Sequence, residues 1–141
     1  ARGRTPLPAR PGDRIQVTSR SLSTLAQQPN VLGGGPLLMQ NGNVVLNGRQ
    51  EGFSPGFMSL AAPRTVVAQG PSGQWLMTLR GAAGSDPTLV ETALAAQQLG
   101  LRDALNMDGG SSTTLVVAGR TVMNGRSSTP RVHNGLGLIP L

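Results

Sequence analysis

Short apolar runs separated by glycine, proline and asparagine fill the central part of this chain. Three pairs of such runs predict β-hairpins. The first turns at Asn41-Gly42, the second has strands at 64–69 and 74–80, and the third lies in TTLVVAGRTVMN, residues 113–124. Asn-Gly favours a tight type I′ turn because both residues tolerate a positive φ. Apolar residues on both faces of the second pair predict central strands that are covered on both sides.

An α-helix is predicted over residues 84–100, where apolar residues recur at helical spacing. Asp86 is suited to cap its N-terminus, Pro87 suits its first turn, and Gly100 suits a left-handed stop. These hairpins and this helix together predict an α+β fold with a mixed, mainly antiparallel sheet and one main covering helix.

The two ends of the chain carry weaker signals. Residues 1–13 are rich in proline and arginine and predict a linker or loop, so that the domain occupies residues 14–141. Residues 14–19 suit a strand, residues 21–28 suit a short helix, and residues 128–141 suit a loop followed by a short apolar strand. Residues 49–63, with their prolines and glycine, predict irregular structure.

Composition agrees with a turn-rich architecture. The 141 residues include 20 glycines and 11 prolines, which favours a β or α+β fold over a helix bundle. Cysteine is absent, which excludes disulfides, thiolate catalysis and zinc–thiolate sites. No apolar run approaches the ~20 residues of a membrane-spanning helix.

The net charge of +6 comes from arginine alone, since the chain has no lysine. Much of it lies near the N-terminus, where the basic residues are Arg2, Arg4, Arg10, Arg14 and Arg20. This arm has no aromatic side chains on which bases could stack, so we expect no nucleic-acid partner. Guanidinium groups bind phosphate in a bidentate manner, and the charge is therefore compatible with an anionic substrate.

The candidate chemistry centres on NMDGGSSTTLVV, residues 106–117. Residues 104–108 predict a strand, whose period of two places Asn106 and Asp108 on one face. The glycines after Asp108 allow a ligand close to the backbone, and the following hydroxyl residues can donate hydrogen bonds to it. A carboxylate beside many donors suits a polyhydroxylated or phosphorylated ligand, although Asp-Gly-Gly is also ordinary turn chemistry.

Three further features are candidates for the site, and we expect residues 33–35 and Arg64 to lie near Asp108, because an anion site needs donors from several segments. The glycines of GGGP, residues 33–36, can form an anion-binding nest or a plain loop. Arg64 opens a strand, and His133 is the one histidine; both residue types are also common on solvated surfaces. One histidine cannot make a histidine-rich metal site, and one carboxylate supplies too few oxygen ligands for a typical calcium site. No cofactor is predicted, and metal binding is left open.

Several blocks together resemble the phosphodiester glycosidase family. In order along the chain they are GGGPLL, PRTVV, GQWLMTLRG, a helix, ALNMDGGSSTTLVVAGRTVMN and PRVHNGLGL, over about residues 31–139. The specific part is the N-x-D-G-G block with its hydroxyl residues and hairpin. The resemblance implies functional roles for Arg64, Asn106, Asp108, Gly109, Gly110, Ser112, Thr113 and Asn134, and it adds weight to Gly33, Gly34 and Gly35.

The sequence departs from the family pattern in three places. Ser111 stands where the family usually has a third glycine, and it would be strained if that position required a positive φ. The last block is shorter around Arg131. The family's domain also begins with a region that has no counterpart here, so we expect the chain to lack the N-terminal portion of the domain.

The resemblance implies a hydrolase that cleaves the glycosidic bond of a sugar-1-phosphodiester, such as that of N-acetylglucosamine, in polysaccharide or envelope metabolism. Asp108 would then serve as nucleophile, base or sugar clamp, with Arg64 and Arg131 on the phosphate. Glu51, His133 or a carboxylate in the N-terminal portion that the chain is expected to lack are the candidates for a second catalytic group. A non-catalytic glycan-binding or envelope-assembly module of the same fold is the alternative. The expected location is periplasmic or extracellular.

Overall fold

The computed structural model describes residues 9–16, 18, 24–125 and 131–139. By contacts the chain divides into two compact units, Ala1–Leu32 and Gly33–Leu141. In the first unit a 3₁₀ helix spans Thr24–Gln27, within the predicted short helix. The strand predicted at 14–19 is not seen, since the described residues 14–16 and 18 have no regular secondary structure. Residues 17, 19 and 21–23 lie outside the described part.

The second unit is built on a five-stranded sheet. Its strands are β1 (Leu37–Gln40), β2 (Asn43–Val44), β3 (Arg64–Gly70), β4 (Gly73–Leu79) and β5 (Asp103–Asn106). Their order is β2-β1-β5-β3-β4, and every pairing is antiparallel. β5 thus lies in the middle and pairs on both sides. The predicted α+β class is confirmed.

All three predicted hairpins form. Asn41 and Gly42 have φ values of 50° and 80°, as the type I′ turn between β1 and β2 requires. The third hairpin consists of β6 (Thr114–Val117) and β7 (Arg120–Asn124) and makes a separate two-stranded sheet. The prediction that both strands of the second hairpin are central was wrong for β4, which pairs with β3 alone among the described strands.

The covering helix α2 (Leu89–Gln98) starts later than predicted. Thr88 is its N-cap, and the reciprocal hydrogen bonds between Thr88 and Glu91 form a capping box, which satisfies two otherwise unpaired N–H groups. The predicted cap, Asp86, instead accepts a hydrogen bond from the backbone N–H of Gly81. Gly100 takes the predicted left-handed conformation, with φ +72°.

A short helix, α1 (Pro55–Ser59), lies in the segment predicted to be irregular. Ser54 accepts a hydrogen bond from the N–H of Phe57 at 3.2 Å, and Pro55 occupies the first turn. Ser-Pro is itself a helix-start signal, because proline lacks the N–H that would be unpaired there. Later in the chain, the described residues 131–139 contain no strand, contrary to the prediction for that end.

The core lies between α2 and the sheet. Its buried apolar residues are Leu38, Met39, Val66, Ala68, Leu89, Ala93, Ala96, Leu101 and Ala104. Within the described part of the chain, no helix is long and apolar enough to cross a membrane. β5 ends at Asn106, so Met107 and Asp108 follow the strand, whereas residues 104–108 were predicted to form it. The NMDGG segment therefore lies at the C-terminal end of β5, the middle strand of the packed sheet.

Candidate active site

The end of β5 opens on a cavity of about 520 Å³. Segments distant in sequence meet there: the glycines before β1, helix α1, the start of β3 and the turn after β5. The predicted site residues that line it are Gly33, Gly34, Gly35, Arg64, Asn106, Asp108, Gly109 and Gly110. We call this space the Asp108 cavity. The predicted spatial convergence of these segments is confirmed, whereas the functional roles of the residues stay predictions.

Asn106 is held rigidly at the edge of the Asp108 cavity. It is only 2% exposed, and its amide nitrogen donates to the carbonyl oxygens of Gly35 at 2.8 Å and Met107 at 3.0 Å. Two carbonyl partners fix which end of the amide is nitrogen, because a carbonyl only accepts. Its Oδ1 is buried and has no hydrogen-bond partner among the described residues. Asn106 therefore offers an oriented acceptor.

Asp108 is exposed and lines the same cavity. Among the described residues none donates a hydrogen bond to its carboxylate, in contrast to Glu51 and Asp103, whose carboxylates accept from backbone N–H groups. The Asp108 carboxylate is thus not engaged by any hydrogen bond from the described residues and is available to a ligand in the cavity.

The two glycines after Asp108 are required for different reasons. A Cβ on Gly109 would lie 2.9 Å from the carbonyl oxygen of Pro63. Gly110 has φ +61°, and its N–H donates to that same oxygen at 2.7 Å. Ser111 lies in a 3₁₀ helix, Gly110–Ser112, and is not among the residues with a positive φ. The serine at the third position is therefore unstrained.

The glycine segment before β1 is packed closely against the turn after β5. A Cβ on Gly34 would come within 2.6 Å of the Met107 sulfur and 2.9 Å of the Asn106 carbonyl oxygen. The N–H of Gly35 donates to that carbonyl at 2.6 Å. Because this donor is engaged, a complete anion nest of three N–H groups is not formed, and Gly34 and Gly35 serve close packing beside the cavity.

Arg64 is 2% exposed, and part of its guanidinium is engaged by the backbone. Its Nε donates to the carbonyl of Pro87 at 3.2 Å and its Nη2 to that of Leu60. Desolvation by burial lowers the pKa of Arg64, while the negative charge of Asp86 opposes that shift. In the described structure no partner is found for Nη1. The side chain thus joins two loops and keeps donors for an anion in the cavity.

Sequence reasoning missed the aromatic wall of the Asp108 cavity. Phe53 and Phe57 stack with their ring centroids 5.0 Å apart, and both line the cavity together with Leu60, Ala62 and Met107. They are the chain's two phenylalanines, four residues apart and beside the Ser54-Pro55 helix start. Phe53 lies just before the N-cap of α1 and Phe57 in its first turn, and an apolar pair on either side of a Ser-Pro helix start is the signal that could have identified them.

Other predicted site residues lie outside the cavity lining. They are Glu51, Ser112, Thr113, Arg131, His133 and Asn134. Both carboxylate oxygens of Glu51 accept from the N–H of Leu37, at 3.1 and 3.2 Å. Thr113 is fully buried and its hydroxyl bonds that of Thr65 at 3.2 Å. The last three residues lie in the exposed segment 131–139. Their proposed roles stay untested.

Asp108 supplies the one carboxylate among the described residues that line the cavity. Across the described ranges no group of three or more histidine, cysteine, aspartate or glutamate side chains is placed to hold a metal ion. The polar side-chain groups that line the cavity in the described part of the chain are therefore two acceptors, a carboxylate and an amide oxygen, and one donor, a guanidinium, beside an apolar wall. Such a set suits a ligand with hydroxyls, a negative charge and a less polar face.

Comparison with known proteins gives the chain a family. The family model for phosphodiester glycosidases matches residues 1–139, which begins earlier than the blocks recognised in the sequence. A solved structure of a hypothetical protein from Synechocystis is 39% identical, with a TM-score of 0.62, over 69% of this chain and 18% of that chain. No curated protein matches the chain.

A second solved structure resembles the chain in fold. It is the catalytic domain of zebrafish N-acetylglucosamine-1-phosphodiester alpha-N-acetylglucosaminidase, auto-inhibited by its pro-peptide, which is 20% identical with a TM-score of 0.54. The match covers 65% of this chain and 34% of that one, so the present chain spans a minor part of both matched proteins. The boundary predicted between residues 13 and 14 stays a prediction. The chain belongs to the phosphodiester glycosidase family.

Proposed function

We propose that this chain carries the sugar-phosphate site of a hydrolase that cleaves the glycosidic bond of a sugar-1-phosphodiester. The observation that carries the proposal is the convergence of Asp108, Asn106 and Arg64 on one cavity of about 520 Å³. That volume lies within the ~300–1,000 Å³ of small-molecule sites. N-acetylglucosamine 1-phosphodiesters are the substrates to test first, since the zebrafish protein of similar fold is named for them.

Asp108 is the group assigned to the reacting carbon. An oxocarbenium-like transition state gains positive charge, which a nearby carboxylate stabilises either by its field or by forming a bond. Its carboxylate receives no hydrogen bond from the described residues, so no internal donor competes for its charge. Asn106 would accept a hydrogen bond from a sugar hydroxyl or acetamido N–H through its unpaired Oδ1. Leaving that buried oxygen unpaired costs about 1–3 kcal/mol.

Arg64 is assigned to the phosphate through its remaining donors. An ordinary glycoside expels an alkoxide, which must be protonated, and therefore needs a second carboxyl group. A phosphodiester instead expels a phosphate monoester, whose second pKa is about 6. A site with one carboxylate and one guanidinium in its described lining is consistent with this easier departure.

The same lining also favours a second candidate, a glycan-binding module that does not turn its ligand over. No second carboxylate lines the Asp108 cavity among the described residues, and Glu51 is engaged with the backbone of Leu37. Either function suits polysaccharide or envelope metabolism, and we propose a periplasmic or extracellular location for both.

Steady-state hydrolysis of an N-acetylglucosamine 1-phosphodiester by the full-length protein tests the proposal. Asp108→Asn is nearly isosteric and should lower kcat on the order of 10³-fold, or about 4 kcal/mol, because it removes the charge that stabilises the transition state. Asp103→Asn is the matched control. Its Oδ1 can still accept from the N–H of Asn41, and it lies outside the cavity lining, so turnover should stay near wild type.

Circular dichroism serves as the folding control for both variants. Near-normal turnover by folded Asp108→Asn would contradict the catalytic assignment. Calorimetric binding of the phosphodiester without turnover by the wild-type protein would instead support the glycan-binding module.

A further inference from the structure

A second cavity adjoins the Asp108 cavity. It has a volume of about 420 Å³ and is lined by Arg49, Phe53, Pro55, Met58 and Ser59. We call it the Arg49 cavity. Phe53 is the one described residue that lines both cavities, so it lies between them. A ligand whose two parts are joined by an extended linkage could therefore place one part on each side of that ring.

Arg49 gives the second cavity its charge. It is the one ionisable side chain in the lining, and in the described part of the chain its guanidinium has no hydrogen-bond or ion-pair partner. The hydroxyl of Ser59 donates instead to the backbone carbonyls of Pro55 and Gly56, at 3.2 and 3.3 Å. Phe53, Pro55 and Met58 are apolar, so the guanidinium is the group available to hold a polar ligand by donation.

The wall between the cavities is set by packing. The ring of Phe53 stacks on Phe57, and its edge approaches Gly35, where a Cβ would lie 2.9 Å from Cζ. On the other side, Met58 packs against Gly48, the neighbour of Arg49, where a Cβ would lie 2.1 Å from the sulfur. These contacts hold α1 and the Arg49 turn together, so the two cavities keep a defined relation within the one compact unit.

We infer that the Arg49 cavity is an aglycone subsite that favours a phosphodiester whose alcohol part carries a second negative charge, such as a phosphorylated alcohol or sugar. The inference rests on the proposed function, because it places the sugar in the Asp108 cavity. The phosphodiester passes Phe53, and the acidic part of the aglycone reaches the Arg49 guanidinium. A planar guanidinium with free N–H donors binds a phosphate or carboxylate better than it binds a neutral hydroxyl.

A matched pair of synthetic substrates tests the inference on the full-length protein. Both carry N-acetylglucosamine 1-phosphate; one is esterified to glycerol and the other to glycerol phosphate. The measured quantity is the preference, which is the KM of the glycerol compound divided by that of the glycerol phosphate compound, together with the same ratio of calorimetric Kd values. Wild type should prefer the charged aglycone by about two- to fivefold, as an exposed charge pair does.

Arg49→Gln should bring the preference to about one. Arg120→Gln is the control, since Arg120 lies exposed on β7, outside both cavity linings, and the change removes the same unit of charge from the protein. It should keep the wild-type preference. Added salt should reduce the preference of the wild type, because exposed charges are screened.

The outcomes separate the two proposals. Equal KM and Kd values for the two compounds in the wild type, or a preference that persists in Arg49→Gln, would overturn the subsite while leaving the proposed function standing. If the preference falls equally in Arg49→Gln and Arg120→Gln, it results from the net charge of the protein, and this outcome would also overturn the subsite. A wild-type protein that neither binds nor cleaves either compound would overturn the proposed function, and the subsite with it.

Discussion

At the scale of single residues, the glycines beside the Asp108 cavity differ in what they tolerate. Gly34 has no room for a side chain, since a Cβ would press on the Met107 sulfur at 2.6 Å and on the Asn106 carbonyl at 2.9 Å. Gly33 has nothing within 4 Å of that position and no unusual φ. Adjacent glycines in one sequence motif therefore carry different constraints, which the letters of the sequence do not reveal.

Gly34→Ala should therefore destabilise the fold by about 1–3 kcal/mol, as overpacking does. The methionine sulfur can move aside, but the backbone carbonyl cannot without disturbing β5. Gly33→Ala should lie within about 0.5 kcal/mol of wild type, as open surface changes do. Denaturant midpoints at equal m-value measure both. Equal stability of the two variants would show that the turn after β5 yields to the added methyl group.

At the scale of elements, local sequence signals predicted the turns better than the starts of the helices. Asn41-Gly42 predicted its turn because both positions need a positive φ, which they have. The start of α2 was misplaced because Asp86 and Thr88 are both good caps, and the Glu91 side chain decides for Thr88. Helix α1 was not predicted because it is short, although Ser54 and Pro55 are a recognisable helix-start signal.

The capping box of α2 leads to a prediction about pH. Hydrogen bonds from the backbone and hydroxyl of Thr88 lower the pKa of Glu91. A lowered pKa stabilises the fold above the unfolded-state value of about 4.3, and this contribution is lost as pH falls through the lower folded-state value. Thr88→Ala should cost about 1 kcal/mol near pH 7.

Thr88→Ala should also flatten part of the fall in stability on acidification below about pH 4.3, because it removes the hydroxyl bond to Glu91 but keeps the backbone N–H bond, which is the larger cause of the lowered pKa. Urea unfolding followed between neutral and acidic pH provides the measurement. Glu91→Gln, which can still accept from Thr88 but does not titrate, is the matched control and should flatten the same region. An unchanged pH dependence in both variants would rule out this linkage.

At the scale of the whole molecule, the order β2-β1-β5-β3-β4 could not be read from the sequence. Leu105 on β5 pairs with Leu37 on one side and with Val67 on the other. No local sequence pattern specifies the pairing of strands that are so far apart in the chain. The convergence of glycines, Arg64 and Asp108 was expected only because a ligand site needs donors from several segments. The aromatic wall was not predicted because residues 49–63 were interpreted as irregular, so the two phenylalanines beside Ser54-Pro55 were not assigned to a helix start.

This sheet order predicts uneven protection from amide hydrogen exchange. β5 is paired on both sides and lies in the cluster that α2 covers, so its amides should exchange slowest. The β6–β7 sheet has two strands, and Val116, Val117 and Val122 on it are each more than half exposed. Its amides should exchange at least tenfold faster than those of β5, which corresponds to a free energy of opening that is lower by about 1.4 kcal/mol. Native-state exchange measured by NMR would contradict this if both sheets were equally protected.

The turn after Asp108 shows where this family site is free to diversify. Position 109 needs glycine for space and position 110 needs it for backbone conformation, whereas position 111 needs it for neither. A motif search that demands three successive glycines would overlook this chain for a residue on which its fold does not depend. Position 111 is accordingly free to vary without strain in the turn, and a comparison of close relatives should find it more variable than positions 109 and 110, which the architecture restricts to glycine.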